Sequence, residues 1–442
     1  MRSSMHYMIL IFVLALFFRL IFIFTLGPIF TPDSPGYDTT AWNIVIGYGY
    51  SNSISSPFRP MISRTPTYIF FLAGLYFFFG RDYFTVILVQ QLIGVLLAVT
   101  TYLLGEHIFD RRVGLWSSIV IAINPTLAFY GNIILTETLS IFLLSLTVLF
   151  LSKGLKYSSL RYFAASGAVL GILVLCRPSF QLFFVAILLL LVYSLRDIKR
   201  ILLVASCVVV PMAIVISPWI VRNYLTFHYV GVTPLLGVNM LIHTGELINY
   251  RDDNRVRLMI RETLSRNLEW KILGDQAMAP YYMASISEVL ASLLKDGYSE
   301  VEANAILLRI ARENIVKHPV QYLATSVREA AYLWSGYSLD WHFTRPTWES
   351  LLKNRVYLPI FLLSKFFLGF VICALTACGS YLSLRAGNRL ALPLISAIMY
   401  ISITTPLVIP CYDRYRLPAE PFITILSVYA VLWLLSLKTN NG

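Results

Sequence analysis

The chain has 442 residues, of which 57% are hydrophobic and only 13% are charged, and its formal net charge is +12. A soluble protein of this length needs far more charge to cover its surface, so these proportions indicate an integral membrane protein. The Lys and Arg residues stand in short clusters between apolar segments, which argues against the continuous basic face of a nucleic-acid-binding protein. The five cysteines include no CxxC pair, so neither a zinc site nor a disulfide framework is expected.

The apolar residues come in runs long enough to cross about 30 Å of hydrocarbon as helix. The first run covers residues 7–26; Arg2 is the one basic residue before it, and no small-residue cleavage site follows. This run is therefore predicted to be a retained span and not a signal peptide. Further spans are predicted near residues 83–104, 113–131, 138–152, 162–176, 179–195, 201–219, 355–379, 390–409 and 418–436.

Basic clusters between the spans define the topology. They are Arg2, Arg111–Arg112, Lys153 with Lys156 and Arg161, Arg196 with Lys199 and Arg200, Arg385 with Arg389, and Lys438. Positive residues concentrate on the cytoplasmic side, so these loops should share that side. The spans alternate correctly only if the apolar stretch 67–80 does not cross, and at about 14 residues it suits an interfacial or re-entrant helix. The prediction is an all-α protein of about ten spans with both termini inside.

Three regions follow from this topology. Residues 1–220 form an N-terminal transmembrane module with a first outer loop at 28–82, and residues 355–442 form the C-terminal transmembrane helices. Residues 221–354 form the one sizeable extracytoplasmic segment. It has helical patterns at 256–273, 281–295, 299–316 and 319–334. Its amphipathic stretches, such as 322–334, suit a position on the membrane surface, and a small helical cap is the alternative.

Polar residues gather on the outer side, first around Asp33. This carboxylate lies between Pro32 and Pro35 just after the first span, and Tyr37 and Asp38 follow it closely. It could act as a general base or could anchor a metal or a sugar hydroxyl. An ordinary loop turn is the alternative, since Asp and Pro are common turn residues.

Other charged residues are predicted at the same depth. Glu137 stands at the outer end of two spans, where a carboxylate is costly unless it is paired or functional. The outer arginines at span ends are Arg64, Arg177, Arg222, Arg414 and Arg416. Each alone could be an interfacial anchor, but such an excess on the outer side favours an anionic partner, and a lipid phosphate matches the guanidinium geometry. Tyr37, Tyr412 and Tyr415 could pack against a sugar ring.

Arg19 lies within the first span, where an ionisable residue is suspected of a function by default. It could pair with Glu137 or extend towards the outer surface, and no site role is assigned to it. The outer histidines, including His243, lack metal-ligand spacing and are interpreted as surface or core residues.

The order of these motifs resembles the GT-C glycosyltransferases. The motifs are Asp33 after the first span, Arg64-Thr65-Pro66 before the interfacial helix, Glu137 in the second outer loop, Pro-Trp-x-x-Arg-Asn-Tyr at 218–224 and Arg-Tyr-Arg-x-Pro at 414–418. The resemblance is strongest to the bacterial branch related to protein O-mannosyltransferases and the lipid A aminoarabinose transferase. It covers nearly the whole chain and is weakest over residues 221–354.

This resemblance implies an inverting enzyme of the bacterial inner membrane with its active site outside the cytoplasm. It would transfer a sugar from a polyprenyl-phosphate donor to an acceptor glycan, lipid or protein. Asp33 then matches the catalytic carboxylate, Tyr37 stands beside it, and Arg64 matches the residue that meets the donor phosphate. The family often has a second acidic residue where this chain has Ser34, so that role falls to Glu137 or Asp38. Asp33 and Glu137 could share a divalent ion, although the resemblance implies no catalytic metal and none is assigned.

Three other classes of membrane protein share some of these features. A transporter or flippase of a lipid-linked sugar also combines many spans with charged residues, but it usually has inverted repeats and a midplane site. An O-antigen ligase or polymerase uses similar donors without an early Asp. A non-catalytic lipid or glycan binder would be inactive with every donor.

Overall fold

The structure of the chain is a computed structural model that describes residues 2–245, 278–334, 369–411 and 413–440. Its described residues are helical, apart from short 3-10 turns, loops and one isolated bridge between Ile29 and Ile133. The chain divides into two compact units: one comprises Met1–Val232, Ile372–Ile401 and Leu417–Gly442, and the other comprises Thr233–Val371 and Ser402–Arg416. The predicted division at residues 220 and 354 stays a prediction.

The N-terminal helices of the first unit are α1 (Arg2–Leu26), α2 (Ser34–Val45), α3 (Pro66–Phe79), α4 (Tyr83–Ile108), α5 (Arg111–Ala122), α6 (Pro125–Tyr130), α7 (Glu137–Tyr157), α8 (Leu160–Cys176), α9 (Phe183–Ser194) and α10 (Ile198–Phe227). Its core packs residues of α1, α4 and α5 together, including Ile11, Val95, Tyr102 and Ile121. Small residues allow the closest approaches. A side chain at Gly167 in α8 would lie 2.0 Å from the carbonyl oxygen of Val208 in α10, so only glycine fits that helix crossing.

The remaining helices are α11 (Leu236–Thr244), α12 (Met278–Lys295), α13 (Glu300–Lys317), α14 (Pro319–Trp334), α15 (Gly369–Arg385), α16 (Leu392–Val408) and α17 (Glu420–Asn440). In the second unit, α11, α12 and α13 pack around a core that includes Leu241, Ile286 and Leu307. The helices predicted from residue 281 to residue 334 are confirmed within a few residues. The predicted helix at 256–273 lies outside the described residues.

Six helical segments in the described part of the chain are long and apolar enough to cross a membrane. They are Met5–Leu26, Tyr83–Ile108, Glu137–Tyr157, Ile198–Phe227, Arg389–Val408 and Leu417–Leu437. The predicted span at 113–131 is broken at Asn124, whose side chain caps a new helix by accepting the Leu127 N–H at 3.1 Å. Leu160–Cys176 and Pro178–Ser194 are shorter apolar helices, and the predicted span at 355–379 is described only from Gly369. The chain is thus a multi-pass membrane protein, and the part that the structure describes contains six of the ten predicted spans at full length.

The loops with the basic clusters lie together at one end of the first unit. Lys156 donates to the carbonyl oxygen of His107 at 3.0 Å, and Asn388 donates to that of Ile108 at 2.9 Å. Arg389 donates to the carbonyl oxygen of Ser194 at 3.1 Å. These contacts join four loops that the charge pattern assigned to the cytoplasmic side.

Helix α3 has both of its ends at the opposite end of the unit. Near its start, the Thr65 hydroxyl donates to the carbonyl oxygen of Cys176 at the end of α8, at 3.3 Å. Near its end, the Tyr76 hydroxyl donates to Asp38 in α2 at 2.7 Å. A helix anchored in this way does not cross the bundle, which supports the prediction made for residues 67–80.

In the second unit, α14 is amphipathic, as predicted. Ser326, Glu329 and Leu333 are buried, whereas Val320 and Val327 are about 70% exposed. The buried face contacts α11 through a hydrogen bond of 3.2 Å between the His243 ring and the Ser326 hydroxyl. His243 is 3% exposed, so it is a core histidine, in agreement with the interpretation from the sequence.

This buried histidine predicts a loss of stability in acid. Burial, with the nearby charge of Arg328, lowers the pKa of His243 to about 4. The unfolded chain, with a pKa of about 6.5, binds the proton more readily, so stability is full above pH 6.5 and falls as the pH drops towards 4. The unfolding free energy should be about 2 kcal/mol lower at pH 5 than at pH 7.5. Denaturant unfolding of the full chain, followed in the second unit at both pH values, tests this. In H243Q, whose side chain does not titrate, most of the difference in unfolding free energy between the two pH values should be absent.

Candidate active site

Asp33 lies immediately before α2, at the N-cap position of the helix. Ser34 forms the local turn instead: its hydroxyl accepts the Thr31 N–H at 2.9 Å, and its own N–H donates to the Thr31 carbonyl oxygen at 3.0 Å. Asp33 makes no capping hydrogen bond and accepts one from Nη2 of Arg64 at 2.8 Å. The carboxylate is therefore held by an ion pair, with 37% of the side chain exposed.

Arg64 joins Asp33 to Tyr37. It precedes α3, and its Nη1 donates to the Tyr37 hydroxyl at 3.2 Å while the guanidinium lies 4.6 Å from the centre of the Tyr37 ring. The Tyr50 hydroxyl holds the Arg64 backbone by donating to its carbonyl oxygen at 3.0 Å. The structure thus brings together the three residues that the sequence placed at the centre of the site.

The electrostatics of this group keep Tyr37 and Arg64 in their ordinary protonation states. Burial raises the pKa of Tyr37, and the charges of Asp33 and Glu137 raise it further against the lowering effect of Arg64. Burial alone would lower the pKa of Arg64, but Tyr37 and Asp33 outweigh it and the net shift is upward. Because both carboxylates act on Tyr37, Glu137 belongs to the same cluster.

Glu137 is the first residue of α7 and pairs with Arg177. Its Oε1 lies 3.6 Å from Nη1 of Arg177, and the side chains are 4% and 13% exposed respectively. The other oxygen, Oε2, is buried without a hydrogen bond from the protein. The site therefore contains two carboxylate–arginine pairs, one partly exposed and one buried.

Backbone contacts hold the segments of the site together. The Ile29 N–H donates to the carbonyl oxygen of Asn132 at 2.8 Å, and the Ile134 N–H donates to that of Ile29 at 3.2 Å. This bridge joins the loop before Asp33 to the segment before Glu137. On the other side, the bond from Thr65 to Cys176 joins the segment of Arg64 to the segment of Arg177.

Asp38 belongs to a separate buried network. One oxygen accepts from Tyr76 and from Nε of Arg81, and the other accepts from Nη2 of Arg81 and from Tyr83, all within 3.2 Å. The residue is 4% exposed. These bonds connect α2 to the end of α3 and the start of α4. The contacts of Asp38 are therefore those of a structural residue that holds these three helices together.

Arg222 is enclosed by aromatic rings. Its guanidinium carbon lies 4.7–5.1 Å from the ring centres of Trp219, Phe227 and Tyr50, and Nη1 donates to the carbonyl oxygen of Met61 at 2.8 Å. These contacts join the end of α10 to the loop that leads to Arg64. The role of Arg222 in phosphate binding stays a prediction from the sequence.

Arg414 and Arg416 lie in the second unit and are 8% and 3% exposed. Arg414 donates to the Tyr415 hydroxyl at 3.1 Å, and the guanidinium of Arg416 lies 6.0 Å from the ring centre of Trp334. The chain before them is fixed to α14, because the Cys411 N–H donates to Glu329 at 2.6 Å. Tyr412 lies outside the described residues.

Two buried polar residues of the first unit were not predicted. Glu420, the first residue of α17, is a fully buried carboxylate. Gln90 in α4 accepts from the Tyr68 hydroxyl at 2.6 Å and donates to the carbonyl oxygen of Ile133 at 2.8 Å. The available signals were an acidic residue soon after the Arg-Tyr-Arg-x-Pro motif and a Gln-Gln pair inside an apolar span.

The residues present do not fit a resident divalent ion. Asp33 and Glu137 each face an arginine, and Asp38 has its oxygens occupied by Tyr76, Arg81 and Tyr83. Within the described ranges, no three His, Cys, Asp or Glu residues lie close enough together to hold a metal. Arginines beside both carboxylates suit an anion better than a cation.

Residues 63–221 match the family described as dolichyl-phosphate-mannose-protein mannosyltransferase. This range contains Arg64, Glu137 and Arg177. No curated protein matches the chain at a significant level.

Among solved structures, the chain is similar to the archaeal oligosaccharyltransferase AglB from Archaeoglobus fulgidus in complex with an inhibitory peptide and a dolichol-phosphate, with a TM-score of 0.57 and 15% identity. It is also similar to the Archaeoglobus fulgidus oligosaccharyltransferase tethered to an acceptor peptide, with a TM-score of 0.55 and 13% identity. Each match covers 98% of this chain and 50% of the other, so the chain spans about half the length of these proteins.

ArnT from Cupriavidus metallidurans bound to undecaprenyl phosphate is matched over 96% of this chain and 77% of the other, with 13% identity and a TM-score of 0.38, which is too low to establish a shared fold. The oligosaccharyltransferase matches and the all-helical membrane architecture confirm the fold that the sequence motifs predicted. The chain has the GT-C type fold of these oligosaccharyltransferases, and its residues 63–221 match the family model described as dolichyl-phosphate-mannose-protein mannosyltransferase.

Proposed function

We propose that the chain is a glycosyltransferase that moves a sugar from a polyprenyl-phosphate donor to a hydroxyl group of an extracytoplasmic glycan, lipid or protein. The observation that carries the proposal is the ion pair between Asp33 and Arg64, 2.8 Å apart and partly exposed. It places a proton acceptor next to a phosphate-binding cation. This is the pair of groups that transfer from a lipid phosphate requires.

The two carboxylates differ in access. The Asp33 side chain is 37% exposed, whereas that of Glu137 is 4% exposed and lies beside Arg177. An acceptor hydroxyl can reach Asp33 more easily, so Asp33 is assigned as the general base. Glu137 is assigned a supporting role, through its charge on the cluster and its pairing with Arg177.

The transfer is a single displacement. Asp33 takes the proton of the acceptor hydroxyl, and the acceptor oxygen forms a bond to the anomeric carbon of the sugar. The bond from that carbon to the phosphate oxygen breaks, and its electron pair leaves with the lipid phosphate. The phosphate gains negative charge in this step, and Arg64 stabilises it, with Arg177 close by.

The ion pair also makes activation of the base depend on prior binding of the donor. While Arg64 is paired with Asp33, the guanidinium stabilises the carboxylate in its unprotonated form and weakens it as a base. A donor phosphate competes for the same guanidinium. Donor binding therefore frees Asp33 to accept a proton, and this limits activation of the base to the complex that contains a donor.

The donor class is supported by the comparisons. The matched family is described by a dolichyl-phosphate-linked mannose, and a matched oligosaccharyltransferase structure contains a dolichol-phosphate. A polyprenyl-phosphate sugar presents both its phosphate and its anomeric carbon at the surface of the bilayer. Phosphate binding by Arg222, Arg414 and Arg416, and sugar contacts by Asp38, Tyr412 and Tyr415, stay predictions from the sequence.

The test is transfer by the purified full chain. The protein is incubated in lipid nanodiscs with a panel of polyprenyl-phosphate sugars and mixed acceptors, and release of the lipid phosphate is measured. Release with at least one donor, with inversion at the anomeric carbon, is the expected result. A chain that moves the intact donor across a vesicle membrane without cleaving it would be a flippase, and the proposal would be wrong.

The side of the membrane on which the site lies has its own test. Ile54 is 92% exposed in the loop between α2 and α3, and Tyr157 is 58% exposed at the opposite end of the first unit. Positive loops face the cytoplasm, so I54C in a cysteine-free background should react with an impermeant thiol reagent from outside intact cells. Y157C should react only after the membrane is opened. The reverse pattern would place the site in the cytoplasm and overturn its proposed location.

A further inference from the structure

Arg19 is a buried cation in α1. It is 1% exposed, and it lies seven residues before the end of the helix at Leu26, about 10 Å below that end. Its Nη1 donates to Oε1 of Gln91 at 2.9 Å and to the carbonyl oxygen of Leu127 at 3.4 Å. Nε and Nη2 are buried without a hydrogen-bond partner. None of the ion pairs found in the described ranges includes Arg19.

Both contacts predicted for Arg19 from the sequence are therefore wrong: it neither pairs with Glu137 nor extends to the surface. A charged side chain inside a membrane span is costly, and more so without an acidic partner. Neither Gln91 nor a carbonyl oxygen carries a compensating charge. Because burying this charge costs free energy, we expect Arg19 to have a role that a neutral side chain would not fill.

Gln91, the partner of Arg19, connects it by hydrogen bonds to the segments of the active site. Nε2 of Gln91 donates to the carbonyl oxygen of Ala128 at 2.6 Å and to Oδ1 of Asn132 at 2.5 Å. Nδ2 of Asn132 donates to the carbonyl oxygens of Phe22 and Gly27, at 2.8 and 2.9 Å. The side chain of Asn132 thus holds the end of α1 from which the Asp33 loop departs.

The backbone of Asn132 holds the same loop a second time, because it accepts the Ile29 N–H in the bridge between the two loops. That bridge joins the Asp33 loop to the segment that begins α7 at Glu137. A chain of hydrogen bonds therefore runs from Arg19 through Gln91 and Asn132 to both carboxylate segments.

Two glycines make room for this chain. A side chain at Gly94 in α4 would lie 2.4 Å from Nη1 of Arg19, and one at Gly131 would lie 2.5 Å from the side-chain amide of Gln91. The guanidinium and the amide thus occupy the space that larger residues would need. Their positions depend on the packing of α4 as well as on hydrogen bonds.

We propose that Arg19 is a positioning residue for the transfer reaction: it fixes Gln91 and Asn132, and through them it sets the Asp33 loop against the Glu137 segment. This inference rests on the proposed function. A displacement of about 1 Å at a reacting group can cost roughly 100-fold in rate, so a residue that sets the distance between the carboxylates governs kcat without contacting the substrate.

The test displaces Arg19 without removing it. G94A puts a methyl group where the guanidinium of Arg19 lies. Because the end of the arginine side chain is flexible, the guanidinium should move away and lose its hydrogen bond to Gln91. The matched control is G74A in α3, where the same change meets nothing within 4 Å. Hydrogen exchange of the full chain in nanodiscs should rise in segments 27–33 and 131–136 of G94A and stay unchanged in G74A. Unchanged exchange in both segments of G94A would overturn the proposal.

The kinetic arm separates positioning from general stability. In G94A, kcat should fall on the order of 10- to 100-fold while KM for the donor changes about twofold or less. R19M should show the same fall in kcat with little change in KM. The double variant that combines G94A with R19M should be no slower than R19M, because no guanidinium remains to be displaced. A multiplicative loss in the double variant, or a normal kcat with raised exchange, would contradict the proposal. If wild-type protein transfers no sugar, the proposed function fails, and the exchange experiment still decides whether Arg19 sets the two loops.

Discussion

D33N is expected to abolish sugar transfer while leaving the chain folded and inserted in the membrane. Asparagine has nearly the shape of aspartate, and its carbonyl oxygen can still accept the hydrogen bond from Nη2 of Arg64, which is 2.8 Å long in the wild type. What it loses is the capacity to take a proton at neutral pH. General-base catalysis contributes about 10²- to 10⁴-fold, so turnover should fall at least that far.

The loss in D33N should lie in kcat. With Asp33 neutral, Arg64 loses its ionic partner and becomes more available to a donor phosphate, so KM for the donor should stay the same or fall. Initial rates of lipid-phosphate release at varied donor concentration give both constants. Near-normal turnover by purified D33N would remove Asp33 from the role of base.

D110N provides a matched control at the opposite end of the first unit. Asp110 caps α5 by accepting the N–H groups of Arg112 and Val113 at 2.7 and 2.9 Å. Asparagine caps helices about as well as aspartate, so little stability should be lost. The same loss of charge at Asp110 should leave kcat and KM unchanged, and a comparable loss of activity there would show that the effect of D33N is not local.

The membrane class and the end of the bundle that carries the site follow from the sequence, because both depend on simple physical limits. Hydrocarbon excludes long polar segments, so the long runs at 83–104 and 201–219 had to be helices. The basic clusters needed one common side, and that requirement, together with a length of about 14 residues, argued against a crossing at 67–80. The contacts of Thr65 and Tyr76, which place both ends of α3 at the same end of the unit, agree with that reasoning.

The partners within the site could not be read from the sequence in the same way. Asp33 and Arg64 are 31 positions apart, and their contact depends on the path of the intervening loop. Asp38 stands next to Tyr37 in sequence, yet on α2 the two side chains point to different networks because neighbouring helix residues are about 100° apart around the axis. Arg19 was expected to reach an acid or the surface, since glutamine is a weak partner for a cation and gives no charge signal.

A second large effect is expected at Arg64. R64Q removes the charge that faces the leaving phosphate, and loss of one such group typically costs about 10²- to 10³-fold in kcat. KM for the donor should rise as well, because the guanidinium would bind the phosphate before the reaction. A variant that changed neither constant more than about twofold would exclude Arg64 from phosphate binding.

The geometry of Arg64 also predicts that lysine cannot replace it. The guanidinium contacts Asp33 through Nη2 and Tyr37 through Nη1 at the same time, and it lies over the Tyr37 ring. The ammonium group of lysine is a point charge without that fork, so R64K should recover part of the binding of the donor and little of kcat. R59Q, which changes an exposed arginine five residues earlier in the same loop, is the control and should behave as wild type.

Because Arg64 serves both the base and the phosphate, the two site variants should not be additive. In D33N the base is already absent, so the part of the R64Q loss that comes from misplacing Asp33 can no longer appear. Adding R64Q to D33N should therefore cost less than R64Q costs in the wild type, and the difference measures how strongly the arginine acts through the carboxylate. Full additivity would mean that Arg64 acts on the donor alone and that the ion pair in the free enzyme has no part in controlling the base.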